Sequence, residues 1–291
     1  MNSKETRAKD TFFSRKGSLN CNGNLLTICK PLLMGILNIT PDSFYDGGNY
    51  IEEENWISQT RKMLSEGADI IDIGAVSTRP GSIDISEEEE LQRLIPVIQS
   101  LKKEFPDIII SVDTYRSNVA RQVVKEGASI INDISAGTFD EQMIQTIVEL
   151  NVPYIIMHIK GTPENMQQNP VYEDIIKEII LFLSIQINKC KKAGINDLII
   201  DPGFGFGKTV EHNYQILKNL EMFKIFELPI LVGISRKSMI NKILEIKPND
   251  ALNGTTSLNT IALMKGADIL RVHDLKQASE TIKIVSELQN S

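Results

Sequence analysis

"EGADIIDIGA", residues 66–75, combines two signals in ten positions. A glycine stands where a helix can end in a left-handed cap, and the isoleucine-rich run after it suits a strand buried on both faces. The unit returns as "EGASIINDIS" from Glu126, "AGINDLIIDPG" from Ala193 and "KGADILRVHD" from Lys265. Comparable apolar runs lie at residues 32–38, 108–113, 153–158 and 229–235, which makes about eight strands. Between them the period changes to that of a helix. Ser86 precedes four glutamates, Glu87 to Glu90, a cap followed by an acidic first turn, and Leu91, Leu94, Ile95, Ile98 and Leu101 recur at helical spacing. Residues 172–190 and 278–288 read similarly. Strand and helix alternating about eight times predict a parallel (β/α)8 TIM barrel.

Working outward, no Pro/Ser-rich linker or shift in composition interrupts the series, so residues 18–291 are expected to form one domain behind a loose polar tail, 1–17. "SLNCNGNLLTI", from Ser18, reads as a β-hairpin turning at Asn22-Gly23 and is expected to close the bottom of the barrel. The chain of 291 residues is 42% apolar and 24% charged, a globular composition. It has no run near the ~18 apolar residues of a membrane span, and its start lacks the apolar core of a secretory signal. A cytoplasmic protein with no membrane partner is expected. Cys21, Cys29 and Cys190 fit no close metal-ligand or redox spacing and read as free thiols in a reducing compartment. A net charge of −7 argues against general affinity for nucleic acid, though not against a small anion met by a few convergent cations.

"LIIDPGFGFGKT", residues 198–209, ends like a phosphate loop. The spacing denies it: Pro202 stands where a P-loop needs its first glycine, and Gly203, Gly205 and Gly207 miss the dinucleotide fingerprint. Asp201 is the informative residue, and the glycines are expected to turn the backbone so that Phe206 lies over the mouth. Lys208 reads equally as a salt-bridge partner, a loop anchor or a ligand contact.

Read toward their C-terminal ends, the eight strands finish in Asn38, Asp72, Asp113, Asn132, His158, Asp201, then Ser235 with Arg236 and Lys237, then Arg271 with His273. Any one could be a cap or loop anchor. A barrel gathers all eight ends around one mouth, and burying so many polar groups costs free energy unless they find partners, so their recurrence marks a site. Asp113, Asn132 and Asp201 offer acceptors and one amide donor suited to a flat nitrogen heterocycle. Arg79, Lys237, Arg271 and His273 form a cationic group suited to a phosphate-bearing ligand. No nucleophile–histidine pair and no two-histidine metal motif is legible, and His158 and His212 read as structural or exposed. The loops "TPDSFYDGGNY" and "VSTRPGSIDI" are expected to close over a second substrate.

"MGILNITPDSFYDGG", "DIGAVSTRPGS", "ISVDTY", "IINDISAG", "IDPGFGFGKT", "VGISRKSMI" and "ADILRVHD" follow in order across residues 34–274. Together they resemble the dihydropteroate synthase family, the folate-pathway target of sulfonamide inhibitors. The resemblance implies condensation of 7,8-dihydropterin-6-ylmethyl diphosphate with 4-aminobenzoate, releasing pyrophosphate with Mg²⁺, in a homodimer. It implies that Asp113, Asn132, Asp201, Lys237 and Arg271 hold the pterin, and that Asn38, Thr78, Arg79, Arg271 and His273 engage the diphosphate, with Asn38 also at the metal. Phe44, Thr78, Pro80, Phe206, Ser235, Arg236 and Lys237 would form the aminobenzoate site, and Lys237, Arg271, Asn38 and Asp113 would be catalytic. Two residues depart from the family pattern: Val76 replaces a glutamate in the second loop, and Tyr45 a smaller residue in the first. A pterin-binding methyltransferase shares a related barrel but needs neither the Ser-Thr-Arg-Pro nor the Ser-Arg-Lys group. A non-catalytic pterin-binding paralogue would not need Asn38, Thr78, Arg79, Lys237, Arg271 and His273 together.

Overall fold

Alternate residues of the strands face opposite ways, and the buried side chains separate into two groups accordingly. The computed structural model describes residues 17–39, 49–76 and 85–291. Eight parallel strands, β3 (Leu32–Asn38), β4 (Ile70–Gly74), β5 (Ile110–Asp113), β6 (Ile130–Asp133), β7 (Tyr154–Met157), β8 (Leu198–Asp201), β9 (Leu231–Val232) and β10 (Ile269–Val272), form one sheet. Their order is β8-β7-β6-β5-β4-β3-β10-β9, and a parallel bridge between Ile200 and Ile230 joins the two ends into a ring. The expected barrel is present.

Leu33, Ile71, Ile131 and Leu270 point outward and share a cluster with helix residues such as Leu94, Ile98 and Ile282. Met34, Ile70, Ile130, Ile155, Ile199 and Ile269 point inward and pack with Leu19, Cys21 and Ile28. Those last three belong to the hairpin, β1 (Gly17–Cys21) and β2 (Asn24–Ile28), which turns at Asn22 (φ 52°) and Gly23 (φ 90°). Positive φ at both central residues matches the right-handed twist of the flanking strands. The hairpin closes the N-terminal end of the barrel, and the Asn20 amide donates to Asp197 Oδ2, just before β8, at 3.0 Å. Cys21 and Cys190 are buried free thiols and Cys29 an exposed one.

The helices are α1 (Asn49–Ser65), α2 (Glu87–Glu104), α3 (Ser117–Lys125), α4 (Met143–Leu150), α5 (Ile175–Ala193), α6 (Val210–Lys218), α7 (Ser238–Leu244), α8 (Leu252–Met264) and α9 (Leu275–Asn290). Ser86 caps α2 as expected, its hydroxyl accepting from the Glu89 amide at 3.1 Å. The glycine of each repeated unit has the left-handed conformation the repeat implied: φ is 102° at Gly67, 114° at Gly127, 104° at Gly194 and 95° at Gly266. A side chain there would be strained, so the same residue recurs at the same junction. The stretch read as a helix from Tyr172 begins at Ile175 instead. Asp174 is the cap, accepting from the Lys177 amide, and the Tyr172 hydroxyl donates to the Gly207 carbonyl at 2.8 Å. Among the described residues, no helix is long and apolar enough to cross a membrane.

Candidate active site

Toward the C-terminal mouth the inward positions of most strands change from apolar to polar, while β7 stays apolar at Met157. On β4 the inward residues are Ile70, Asp72 and Gly74; on β5 they are Ser111 and Asp113; on β6, Ile130 and Asn132; on β8, Ile199 and Asp201; on β10, Ile269 and Arg271. A ligand entering this mouth therefore meets carboxylates and cations set above an apolar floor.

Arg271 is at the centre. Its Nε donates to Asp72 Oδ2 at 2.7 Å, and an Nη reaches Asp113 Oδ2 at 3.3 Å. Burial alone would favour the neutral guanidine, but Asp72 and Asp113 outweigh it and hold the charge more firmly than in water. Asn132 donates from Nδ2 to Asp72 Oδ2 at 3.2 Å. Burial pushes the Asp113 carboxyl up to about 7; Arg271 opposes that shift, while Asp72, Glu90 and Asp133 add to it. Asp201 is raised by burial too, against the pull of Lys237, a bond from the Gly203 amide at 2.7 Å, and Lys208.

Lys237 stands just before the first turn of α7, and its side chain makes no capping bond. Its ammonium donates to the Phe204 carbonyl and lies 4.8 Å from the centre of the Phe206 ring. Burial pulls it down to about 8, with Asp201 working against that and Arg271 reinforcing it. Gly233 separates Lys237 from Arg271: a Cβ built on it would lie 3.8 Å from Arg271 Cβ and 3.8 Å from Lys237 Nζ. Asp113, Asn132, Asp201, Lys237 and Arg271 thus converge.

The remaining expected residues line the rim. Asn38 ends β3 exposed, and its Oδ1 and Asp113 Oδ2 flank Gly74. Ser235 Oγ is 3.0 Å from His273 Nδ1 and accepts from the His273 amide at 3.3 Å, which ties the ends of β9 and β10 together. Arg236 has φ 59° and makes a two-pronged ion pair with Asp274, Nη2 to Oδ1 at 2.6 Å and Nε to Oδ2 at 3.2 Å. Phe44, Tyr45, Thr78, Arg79 and Pro80, with most of the two expected lid loops, lie outside the described residues, as does the tail through residue 16. Val76 is half-buried just after β4. Among the described residues, no group of three or more His, Cys, Asp or Glu side chains could hold a metal ion.

Lys208 is a loop anchor. Only 2% exposed, it donates to His158 Nδ1 at 3.0 Å, to the His158 carbonyl at 3.1 Å and to the Phe206 carbonyl at 2.9 Å. Gly203 and Gly207 let the backbone come this close: a Cβ would lie 1.9 Å from the His158 carbonyl oxygen at the first and 2.4 Å from the Lys160 oxygen at the second. Burial, then the charges of Lys208 and Lys160, push His158 down to about 2, so it is neutral and accepts. His212 completes the cap of α6 with Thr209. Both histidines are structural, and the glycine-rich segment cradles its neighbouring loop rather than a phosphate.

A family model described as a pterin binding enzyme matches residues 34–273. A dihydropteroate synthase from Escherichia coli strain K12 is 44% identical over 92% of this chain and 95% of its own length. The chain belongs to the dihydropteroate synthase family of pterin-binding enzymes. Two solved dihydropteroate synthases share the fold closely. The Yersinia pestis enzyme, in a complex with a sulfonamide drug, has a TM-score of 0.88 at 42% identity, over 94% of this chain and 100% of that one. The Xanthomonas albilineans enzyme with 4-aminobenzoic acid has a TM-score of 0.88 at 37% identity, over 94% and 98%. The residues expected to hold a ring lie at or near strand ends, as the sequence pattern placed them, but that pattern gave no role to Asp72, Ser111 or Asp274. Asp72 carried a signal, since it belongs to the polar series read along the strands, but it lies mid-strand, two residues before the end of β4.

Proposed function

We propose that the mouth joins a dihydropterin carrying a methylene diphosphate to 4-aminobenzoate, giving 7,8-dihydropteroate and pyrophosphate. By its family the chain is a transferase of folate biosynthesis. The observation that carries the reading is the convergence of Asp113, Asn132 and Asp201 with Arg271 and Lys237. The acids and the amide match a flat ring edged with N–H groups. Arg271 offers its guanidinium to the ring face and, with His273, Asn38, Thr78 and Arg79, meets the diphosphate. Phe206, Ser235 and Arg236, with Phe44, Thr78 and Pro80, form the second-substrate side, where sulfonamides would compete.

Magnesium fits this mouth as an ion carried in on the diphosphate. Such an ion would keep much of its water and take one or two protein oxygens besides phosphate, and Asn38 Oδ1 would be one of them. Its chemistry there is to neutralise charge developing on the leaving group.

The side chains imply a dissociative substitution. Arg271 and its neighbours favour charge on the departing diphosphate, and the buried carboxylates of Asp113 and Asp201 favour the positive charge left on the pterin methylene. The amine of 4-aminobenzoate then attacks that carbon and loses a proton, so the chain positions and shields the partners. Rapid quench should find no pterin attached to protein; such an adduct would reject the mechanism.

The purified chain with the pterin diphosphate, 4-aminobenzoate and Mg²⁺ should release dihydropteroate and pyrophosphate in equal amounts. Tight pterin binding without product would point instead to a non-catalytic pterin binder. Lys237→Ala should remove turnover while leaving the thermal midpoint within about 2 °C, as for a side chain outside the apolar core; near-normal turnover would reject its role.

A further inference from the structure

A third acid lies beneath the mouth and has no part in the reading above. Asp72 is fully buried on β4, two residues before Gly74, which pairs with Asp113. Its Oδ2 accepts from Arg271 Nε at 2.7 Å and Asn132 Nδ2 at 3.2 Å. Its Oδ1 accepts from the Ser111 hydroxyl at 2.6 Å. Three other strands thus converge on one carboxylate.

We infer that Asp72 is a positioning residue that fixes which way Asn132 and Arg271 face the heterocycle. The inference rests on the reading that the ring lies in this mouth. An ionised carboxylate can only accept, so Asn132 must turn its NH₂ toward Asp72. One amide hydrogen is committed there; the other, and Oδ1, remain for a ligand in a fixed order. Against a partner able to donate, the amide could turn over and present the opposite pattern. Arg271 is held by a similar asymmetry. Its bond to Asp72 is shorter than its bond to Asp113, 2.7 Å against 3.3 Å. When ring N–H groups claim Asp113, the guanidinium gives up the longer bond and keeps its plane through the shorter one. Ser111, donating from below, stabilises the charge on Asp72.

Asp72→Asn preserves shape but introduces a donor and removes the charge. Binding is read by calorimetry with 6-hydroxymethylpterin, which lacks the diphosphate, so the readout needs no turnover. The dissociation constant should rise at least about tenfold, the weight of a hydrogen bond to a charged group. The midpoint of the pH dependence of binding should also move to lower pH. Arg271, Asp72, Glu90 and Asp133 act on the Asp113 charge, with Lys237 facing it from just before α7, and the substitution removes one that raises it. Unchanged affinity and midpoint in a folded variant, with only a lower melting temperature, would reduce Asp72 to a packing role and overturn the inference. Should Asp72→Asn fail to fold, Ser111→Ala serves. It should weaken ring binding about threefold, less than the loss of a direct hydrogen bond to a charged group because Ser111 acts on the ring only through Asp72, and no change would overturn the inference equally. Turnover by the unaltered chain is measured alongside: ring binding without product would reject the proposed reaction alone, and no ring binding would reject both.

Discussion

Asp113 makes the site sensitive to pH in one direction. With its carboxyl pushed up to about 7 by burial, it is largely neutral below that value and largely ionised above it. A ring N–H needs the ionised form, so binding below about pH 7 must expel a proton. Pterin affinity should therefore fall as pH drops through 7, approaching about tenfold per unit. Asp113→Asn should abolish that slope; a slope that survives in titrations of the variant would assign it to another group. Asp113 was legible in the sequence because it ends a strand, and a barrel makes every strand end a neighbour of the others. Asp72, expected at a strand end, stands in the middle of β4, and its role lies in partners 39, 60 and 199 positions away, Ser111, Asn132 and Arg271. No local pattern encodes such contacts.

At the scale of elements, what was legible followed from local rules. The left-handed glycines, the Ser86 cap and the Asn22-Gly23 turn depend on a few adjacent residues, and each was found where its sequence placed it. The segment from β8 to α6 shows the limit. Its glycines and lysine imitate a phosphate loop because that motif also needs close backbone approach beside a cation. Here the approaching group is the His158–Lys160 backbone of the preceding loop, which only the fold brings near. Lys208→Met would leave three acceptors, two carbonyls and His158 Nδ1, without their buried donor. Denaturant unfolding should show a loss of about 3 kcal/mol, within the range for buried unsatisfied groups. A loss below about 1 kcal/mol, the level of an ordinary surface change, would show that the anchor is dispensable.

For the whole molecule, the alternation of strand and helix identified the barrel, and the order of the polar strand ends identified its active face. The loops carrying Phe44, Thr78, Arg79 and Pro80 fall outside the described residues, so those assignments rest on the family resemblance. We further propose a homodimer through barrel helices, which the resemblance implied. Support comes from Ile243 on α7, Leu252 and Ile261 on α8, and Ile284 and Leu288 on α9, all exposed large apolar side chains. Exposed apolar surface of this kind is what association covers. Sedimentation should give twice the chain mass; a monomer at micromolar concentration would reject the pairing. The central claim, that the acids read the heterocycle while the cations receive the diphosphate, is tested most directly by a crystal structure of the chain with a pterin diphosphate analogue. The ring should lie with its N–H edge against Asp113, Asn132 and Asp201 and its face on Arg271, with the diphosphate toward Asn38 and His273. A ring bound outside the mouth, or a diphosphate cradled by residues 203–208, would contradict it.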